Sequence, residues 1–375
     1  MKITDYVSIF LFSILLIALG SINFSADFAA LAYGEISNRQ EVLEAERLKS
    51  IADQRLAMIE SNPKNILFVG DVLLARNVES LMKKSGADYP YRGVNFNSLA
   101  PKYYLFANFE ATIPVEHKQT KVNKINFSVA KDFIPALRGA GFSHLSLANN
   151  HSYDYGEEAV INTKKLLNDN NLAPFGNFKN LNDDSVSYVS IADFKVSVIG
   201  IHALQSKFSD EDLVSVLDKA GANSDFQIIF VHWGTEYSEH SDKEQRALAK
   251  RLVDFGADLI IGHHPHVVQE IGLIEGVPVF YSLGNYIFDQ YFSTAVQTGL
   301  LLNLDFSTGL NINLLPVTSL QQLSQPKLMT EEQKQMFLYK LAKNSAPELK
   351  NEILKGQIEL DFLFASSSKM AIIDI

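Results

Sequence analysis

The sequence predicts an α/β fold built on a mixed sheet or a pair of sheets, and three observations carry that reading. Five short runs rich in Ile, Val, Leu and Phe recur from Asn65 to His266: NILFVGD, YYLFANFE, SHLSLANNH, QIIFVHWG and ADLIIGHHPH. Runs this short and this apolar read as strands buried on both faces of a sheet. Between them lie DFIPALRGAG, EEAVINTKKLLNDNN and SDKEQRALAKRLVDFG, which read as helices, and alternating strand and helix define the α/β class. Three further segments read as hairpins, turning at Ala192-Asp193, near Glu275-Gly276, and at Ser307-Thr308-Gly309, so antiparallel pairing joins the parallel kind.

From the N-terminus, Tyr6 to Ala26 carries no charge and has about the length that spans a bilayer as a helix, ~20 residues. Lys2 and the terminal amine give a weak positive flank, partly cancelled by Asp5. A cleavable signal peptide is the rival reading, but Ala30-Leu31-Ala32, the A-x-A site, lies far beyond the apolar segment. Residues 1–27 are therefore expected to be an uncleaved single-pass anchor in the cell membrane, with the rest on the extracytoplasmic side. Residues 28–63 are charged, and Leu48, Ala52, Leu56 and Ile59 recur at helical spacing before Ser61-Asn62-Pro63. They read as a helical stalk or as a helix packed on the domain. Residues 64–319 hold the strand–helix alternation. Residues 320–375 read as a helical extension, with Thr330 and Gln333 as a capping box.

The chain has 375 residues, 47% of them hydrophobic, enough for one large domain or two modest ones. Its formal net charge of -10, with no long Lys/Arg block, argues against nucleic acid as a partner. It has no cysteine, which excludes disulfides, thiolate metal sites, a Cys nucleophile and a lipidated N-terminal Cys. Any metal must be held by His, Asp, Glu or Asn.

Each of the five apolar runs stops at a candidate metal ligand or acid–base group: Asp71, Glu110, Asn150 with His151, His232, and the triple-histidine loop His263, His264, His266. In open α/β sheets ligands bind beyond the carboxyl ends of the strands, so parallel strands would bring all five stops to one rim. Singly, each has a structural reading too. Asp71 can cap a helix, Glu110 can be a solvated loop acid, Asn150 and His151 can be turn residues, and His232 a satisfied core histidine. Together they point to one site. Pro265 stiffens the loop so that His264 and His266 can converge on one ion, while His263, which precedes the turn and would tend to point away from it, is expected to be a substitute ligand or a group behind the ligands. Asp, Glu, Asn and His without Cys suit one or two divalent ions, Mn, Fe, Zn or Mg, which can activate water and clamp a phosphoryl group. Asp154, three residues after His151, is placed to orient that imidazole for acid–base catalysis. Arg76, Asn285 and Asp289 are expected near the site as substrate contacts that do not bind metal.

The segments VGDVLLAR, YPYRGV, ANFEATI, ANNHSYDYG, HWGTEY, GADLIIGHHPHVVQ and SLGNYIFD resemble, in order, the motif series of the CapA family of capsule synthesis proteins, notably of poly-gamma-glutamate. The resemblance covers residues 65–289. It implies a two-sheet β-sandwich flanked by helices, like the calcineurin-like metallophosphoesterases. It also implies Asp71 as the first acidic ligand, Glu110 as the bridging carboxylate, Asn150, His232, His264 and His266 as further ligands, and His151 as the catalytic histidine. The phosphoesterase first motif is Asp-x-His, whereas Asp71 is followed by Val72 and Leu73. Two readings follow: a metal-dependent hydrolase or transferase acting on phosphoesters or a related polymer bond, or a non-catalytic subunit holding an anionic surface polymer. The resemblance implies partner membrane subunits of a capsule synthase in either case.

Overall fold

The computed structural model describes residues 47, 49–50, 61–204 and 208–360. The expected anchor and nearly all of the expected stalk lie outside the described residues. Among the described residues no helix is long and apolar enough to cross a membrane.

The described residues from Pro63 to Leu360 fall in one compact unit with helices around two mixed sheets. Its strands in order are β1 (Asn65–Val72), β2 (Tyr103–Phe109), β3 (His144–Ser146), β4 (Ala173–Phe175), β5 (Val186–Ile191), β6 (Phe194–His202), β7 (Phe226–His232), β8 (Leu259–His263), β9 (Ile271–Ile274), β10 (Val277–Phe280), β11 (Asn285–Ile287), β12 (Thr298–Asp305), β13 (Leu310–Thr318), β14 (Lys327–Leu328) and β15 (Gln357–Leu360). The first sheet runs β14-β13-β12-β1-β2-β3-β4, with β11 beside β1 and β15 beside β13; the second runs β5-β6-β7-β8-β10-β9. β1 to β4 are parallel, as are β6, β7, β8 and β10, while the three hairpins supply the antiparallel pairs β5/β6, β9/β10 and β12/β13. The third apolar run forms only three residues of strand and then turns. After Ser319 the chain supplies the expected helix, Glu331–Asn344, capped by Thr330 and Gln333, and also two short strands of the first sheet.

The strands are apolar throughout because both their faces are covered. Along β1, Ile66 and Phe68 face the second sheet and share a core with Phe106, Phe230 and Ile261; Leu67 and Val69 face away, packed with Leu137 and Leu167 from helices. Phe68 lies 5.1 Å from Phe106 and 5.9 Å from Phe230 between ring centroids. The outer face of the second sheet, Ile199, Ile229 and Ile260, is covered by Leu213 and Leu217 of the helix Asp210–Gly221 and by Leu248 and Leu252 of Lys243–Asp254. Both helices start at reciprocal capping boxes, Ser209 with Asp212 and Asp242 with Gln245.

His144 on β3 is buried, its ring stacked 4.2 Å from Phe106. Burial, with the Arg138 charge adding to it, pulls its pKa from 6.5 down to about 4. The unfolded chain therefore binds a proton more readily than the fold does. The stability present above about pH 6.5 is lost progressively as pH falls toward 4. In urea titrations, His144→Phe should lose about 2 to 3 kcal/mol less than the wild type between pH 7 and 4.5. Equal losses would show that this imidazole does not set the acid limb.

Candidate metal centre

Two rows of polar side chains face each other where the two sheets meet. In the first sheet, Asp71 sits in register with Asn285 of β11 on one side and Asn108 of β2 on the other. In the second, His232 of β7 is in register with His202 of β6 and His263 of β8. Asp71 reaches this row through a register shift after Phe68. Gly70 permits it, because a Cβ there would lie 1.9 Å from the Gly284 carbonyl oxygen. Asp71 belongs to the strand; the helix Arg76–Ser85 begins later, with Ala75 at its N-cap.

Asn108 lies at the centre and was not singled out in the sequence. Its amide donates to Asp71 Oδ1 at 2.8 Å and Glu110 Oε2 at 3.3 Å, and lies 3.2 Å from His232 Nδ1. Asn149 fixes that orientation by donating to Asn108 Oδ1 at 3.0 Å and to the Phe109 carbonyl at 2.9 Å. The one signal available was a polar residue two positions before Glu110, on the same face of a strand. His202, also unforeseen, has its ring 6.0 Å from His232 and donates from Nδ1 to the Phe178 carbonyl.

The triple-histidine loop closes the rim. His264 and His266 flank Pro265 with φ of 95° and 60°, left-handed conformations that β-carbon-bearing residues adopt only when their surroundings enforce them. The His264 N–H is 3.4 Å from Asp71 Oδ2, and His266 Nδ1 is 3.2 Å from the same oxygen. His263 does not point elsewhere. It ends β8, is fully buried against Phe230, and sets Nδ1 3.4 Å from Asp71 Oδ1.

Of the other expected residues, Asn150 Oδ1 is 2.7 Å from His232 Nε2. His151 Nδ1 is 2.9 Å from Asp154 Oδ2, which also accepts from the Phe127 N–H. Asn285 Oδ1 meets His266 Nδ1 at 2.9 Å. Asp289 is set farther out, paired with Arg76, whose guanidinium lies over Phe127, 4.6 Å from the ring centroid.

The electrostatics divide the roles. Burial favours a neutral Asp71, but hydrogen bonds from His263 and His266 outweigh it and hold the carboxyl well below its usual range. Burial pushes Glu110 well above its usual range; the His266 charge opposes this and Asp71 adds to it. Burial, with His264 adding, takes His232 well below its usual value. His264 falls to about 3, first through burial and then through the His266 charge. Burial acts against charge on His266 as well, yet Glu110 and Asp71 raise it to about 9.

These side chains fit a divalent ion. Glu110, His264 and His266 can each place a ligand atom within 4.8 Å of the others, and so can Asp71, Glu110 and His232. Glu110 belongs to both groups. Its Oε1 and His264 Nδ1 are buried with no hydrogen-bond partner among the described residues. That oxygen stands 3.7 Å from His266 Nε2 and 3.8 Å from His151 Nε2, too long for hydrogen bonds; the first spacing suits two ligands bound at about 2.0–2.2 Å from a shared centre.

Fold and rim together define an α/β domain of two sheets with a buried carboxylate–imidazole cluster able to hold a metal ion. The chain belongs to the family of bacterial capsule synthesis proteins designated PGA_cap, whose family model matches residues 65–290. It is 32% identical over 263 residues to the capsule biosynthesis protein CapA of Bacillus anthracis, covering 64% of each chain. It is 30% identical to the PGA biosynthesis protein CapA of Bacillus subtilis (strain 168), covering 60% of this chain and 63% of the relative. A probable polyglutamine synthesis accessory protein of Mycobacterium tuberculosis (strain ATCC 25618 / H37Rv) is 23% identical, with 48% of this chain and 54% of the relative covered. The matches thus span less than two thirds of the length of these relatives.

Proposed function

We propose that this chain is a membrane-anchored, extracytoplasmic component of surface-polymer synthesis, with poly-gamma-glutamate the first candidate polymer, and that its rim is a metal-dependent centre for hydrolysis or transfer at a phosphoester or related bond. The family membership supports the biological role. The observation that supports the chemistry is Glu110, shared by both ligand groups, with its free oxygen facing two imidazoles. Asp71, Glu110, Asn150, His232, His264 and His266 would hold one or two of Mn, Fe, Zn or Mg, as in the metallophosphoesterase-like fold. When bound, the ion supplies Lewis acidity and an activated water.

The other residues have separate tasks. Asp154 orients His151 from Nδ1, leaving Nε2 to carry a proton to or from the reacting group. Arg76, anchored by Asp289, offers a positive charge to an anionic substrate. The second reading, a non-catalytic polymer-binding subunit beside other synthase membrane subunits, is favoured by Leu73. It is fully buried and apolar where the phosphoesterase first motif carries a histidine.

The test is metal analysis of the full-length chain purified in detergent, then hydrolysis of bis(p-nitrophenyl) phosphate with added Mn²⁺. Retained metal, with hydrolysis lowered at least ~100-fold in His151→Ala, is the expected result. Retained metal without hydrolysis transfers support to the polymer-binding reading. Absence of metal overturns the proposed centre.

A further inference from the structure

The Asn285 amide has only one possible orientation. Its Nδ2 donates to the Val296 carbonyl, which can only accept, and to Gln290 Oε1, both at 2.9 Å. Its Oδ1 therefore faces His266 Nδ1, and that nitrogen must carry the hydrogen. The same logic extends one residue further. Gln290 uses its oxygen on Asn285, so its Nε2 donates to the Tyr237 hydroxyl at 3.0 Å. Tyr237 is the acceptor there, and its own hydrogen is turned away from Gln290. From Val296 to Tyr237 the direction of every bond is fixed.

The backbone also holds this tyrosine in place. Its N–H donates to the Pro265 carbonyl at 2.8 Å, inside the triple-histidine loop. Its φ is 65°, a conformation disfavoured for a bulky residue. Its ring centroid lies 6.1 Å from that of His266, yet the residue is 42% exposed. Partial burial and the neighbouring Glu236 carboxylate push its phenol up to about 12, so it remains a donor in neutral solution. A strained residue locked beside a candidate ligand, with a directed and partly exposed hydroxyl, has the marks of a binding group.

We propose that Tyr237 is a substrate-positioning residue, whose phenol donates a hydrogen bond to an anionic oxygen of a phosphoryl-class substrate on the metal rim. This rests on the metal-centre reading above. Gln290 and Asn285 are positioning residues, and through one amide chain they align both this donor and His266.

The test uses the full-length chain in detergent and calorimetric titration, first with Mn²⁺ alone and then with inorganic phosphate on the Mn²⁺-loaded protein. Tyr237→Phe should bind Mn²⁺ within about twofold of wild type but phosphate about tenfold or more weakly, as expected for loss of a bond to a charged acceptor. Gln290→Glu reverses the last link, because a carboxylate accepts from Tyr237 and turns its hydrogen inward. It should reproduce the phosphate defect with Mn²⁺ binding retained. Asn285→Ala should weaken Mn²⁺ itself by ~10–100-fold. Wild-type phosphate affinity in Mn²⁺-loaded Tyr237→Phe overturns the role of Tyr237 and leaves the metal centre standing. A wild-type chain that binds no Mn²⁺ overturns the centre and this proposal together.

Discussion

Replacing Glu110 with glutamine should empty the rim of metal and leave the metal-free fold as stable as before, or more stable. Glu110 belongs to both candidate ligand groups, so its loss weakens either one. Losing an outer partner of a ligand typically costs ~10–100-fold in metal affinity, and losing a shared ligand should cost more than ~100-fold. Stability moves the other way. Glu110 is fully buried, and burial with the Asp71 charge raises its carboxyl well above the ordinary range of 4.5. The unfolded carboxyl ionises above 4.5 while the folded one resists, so this group penalises the fold increasingly as pH rises from there. A neutral amide of the same shape removes the penalty. Elemental analysis after dialysis and urea unfolding in chelator give the two readouts at pH 7.5. Wild-type metal content in Glu110→Gln would sink the proposed centre, and a large drop in metal-free stability would sink the electrostatic account.

Gly70→Ala should damage the fold more than any substitution in the rim itself. The new methyl would meet the Gly284 carbonyl oxygen at 1.9 Å and its carbon at 2.9 Å. Both groups are backbone, within paired strands that cannot swing aside as a side chain can. Overpacking typically costs about 1–3 kcal/mol, and a backbone clash this close belongs at the upper end or beyond, which in a domain of this size lowers Tm by about 5 °C. The row that sets Asp71 beside Asn285 would be spread as well, so metal should be lost with stability. An unchanged melting curve would mean that β1 and β11 approach less closely than described.

The sequence showed the ends of strands better than their arrangement. The runs ending at Asp71, Glu110, His232 and His263 are strands, because burial on both faces keeps their middles apolar until the chain reaches the rim. Their division between two sheets was not legible in the spacing. Each strand is equally apolar, and only the long-range pairing separates β1, β2 and β3 from β7 and β8. The helix Asp210–Gly221 was missed although Ser209 and Asp212 carry a capping signal. Asn108 was hidden by its apolar neighbours. Gln290 and Tyr237 were hidden for another reason: a hydrogen-bond chain linking segments so far apart leaves no periodic trace. His263 showed the limit of local geometry. Its place before the turn pointed it away from the rim, whereas pairing with His232 across β7 and β8 turns it toward Asp71.

The strand that opens this domain is also one of its innermost. β1 lies between β2 and β12, with β11 along its end. As the chain is synthesised, Asn65–Phe68 must wait for Leu302–Asp305 before one of its edges is filled. Until then the nascent protein presents an apolar strand with unsatisfied backbone groups, the kind of surface that other chains adhere to. The segment matched by the family model stops at residue 290, short of β12. A polypeptide trimmed to that segment would keep every expected ligand yet lack the strand that closes the edge of β1. Pairings made across such sequence distances form slowly. The rim, which β1 helps to build, would then be among the last features to mature.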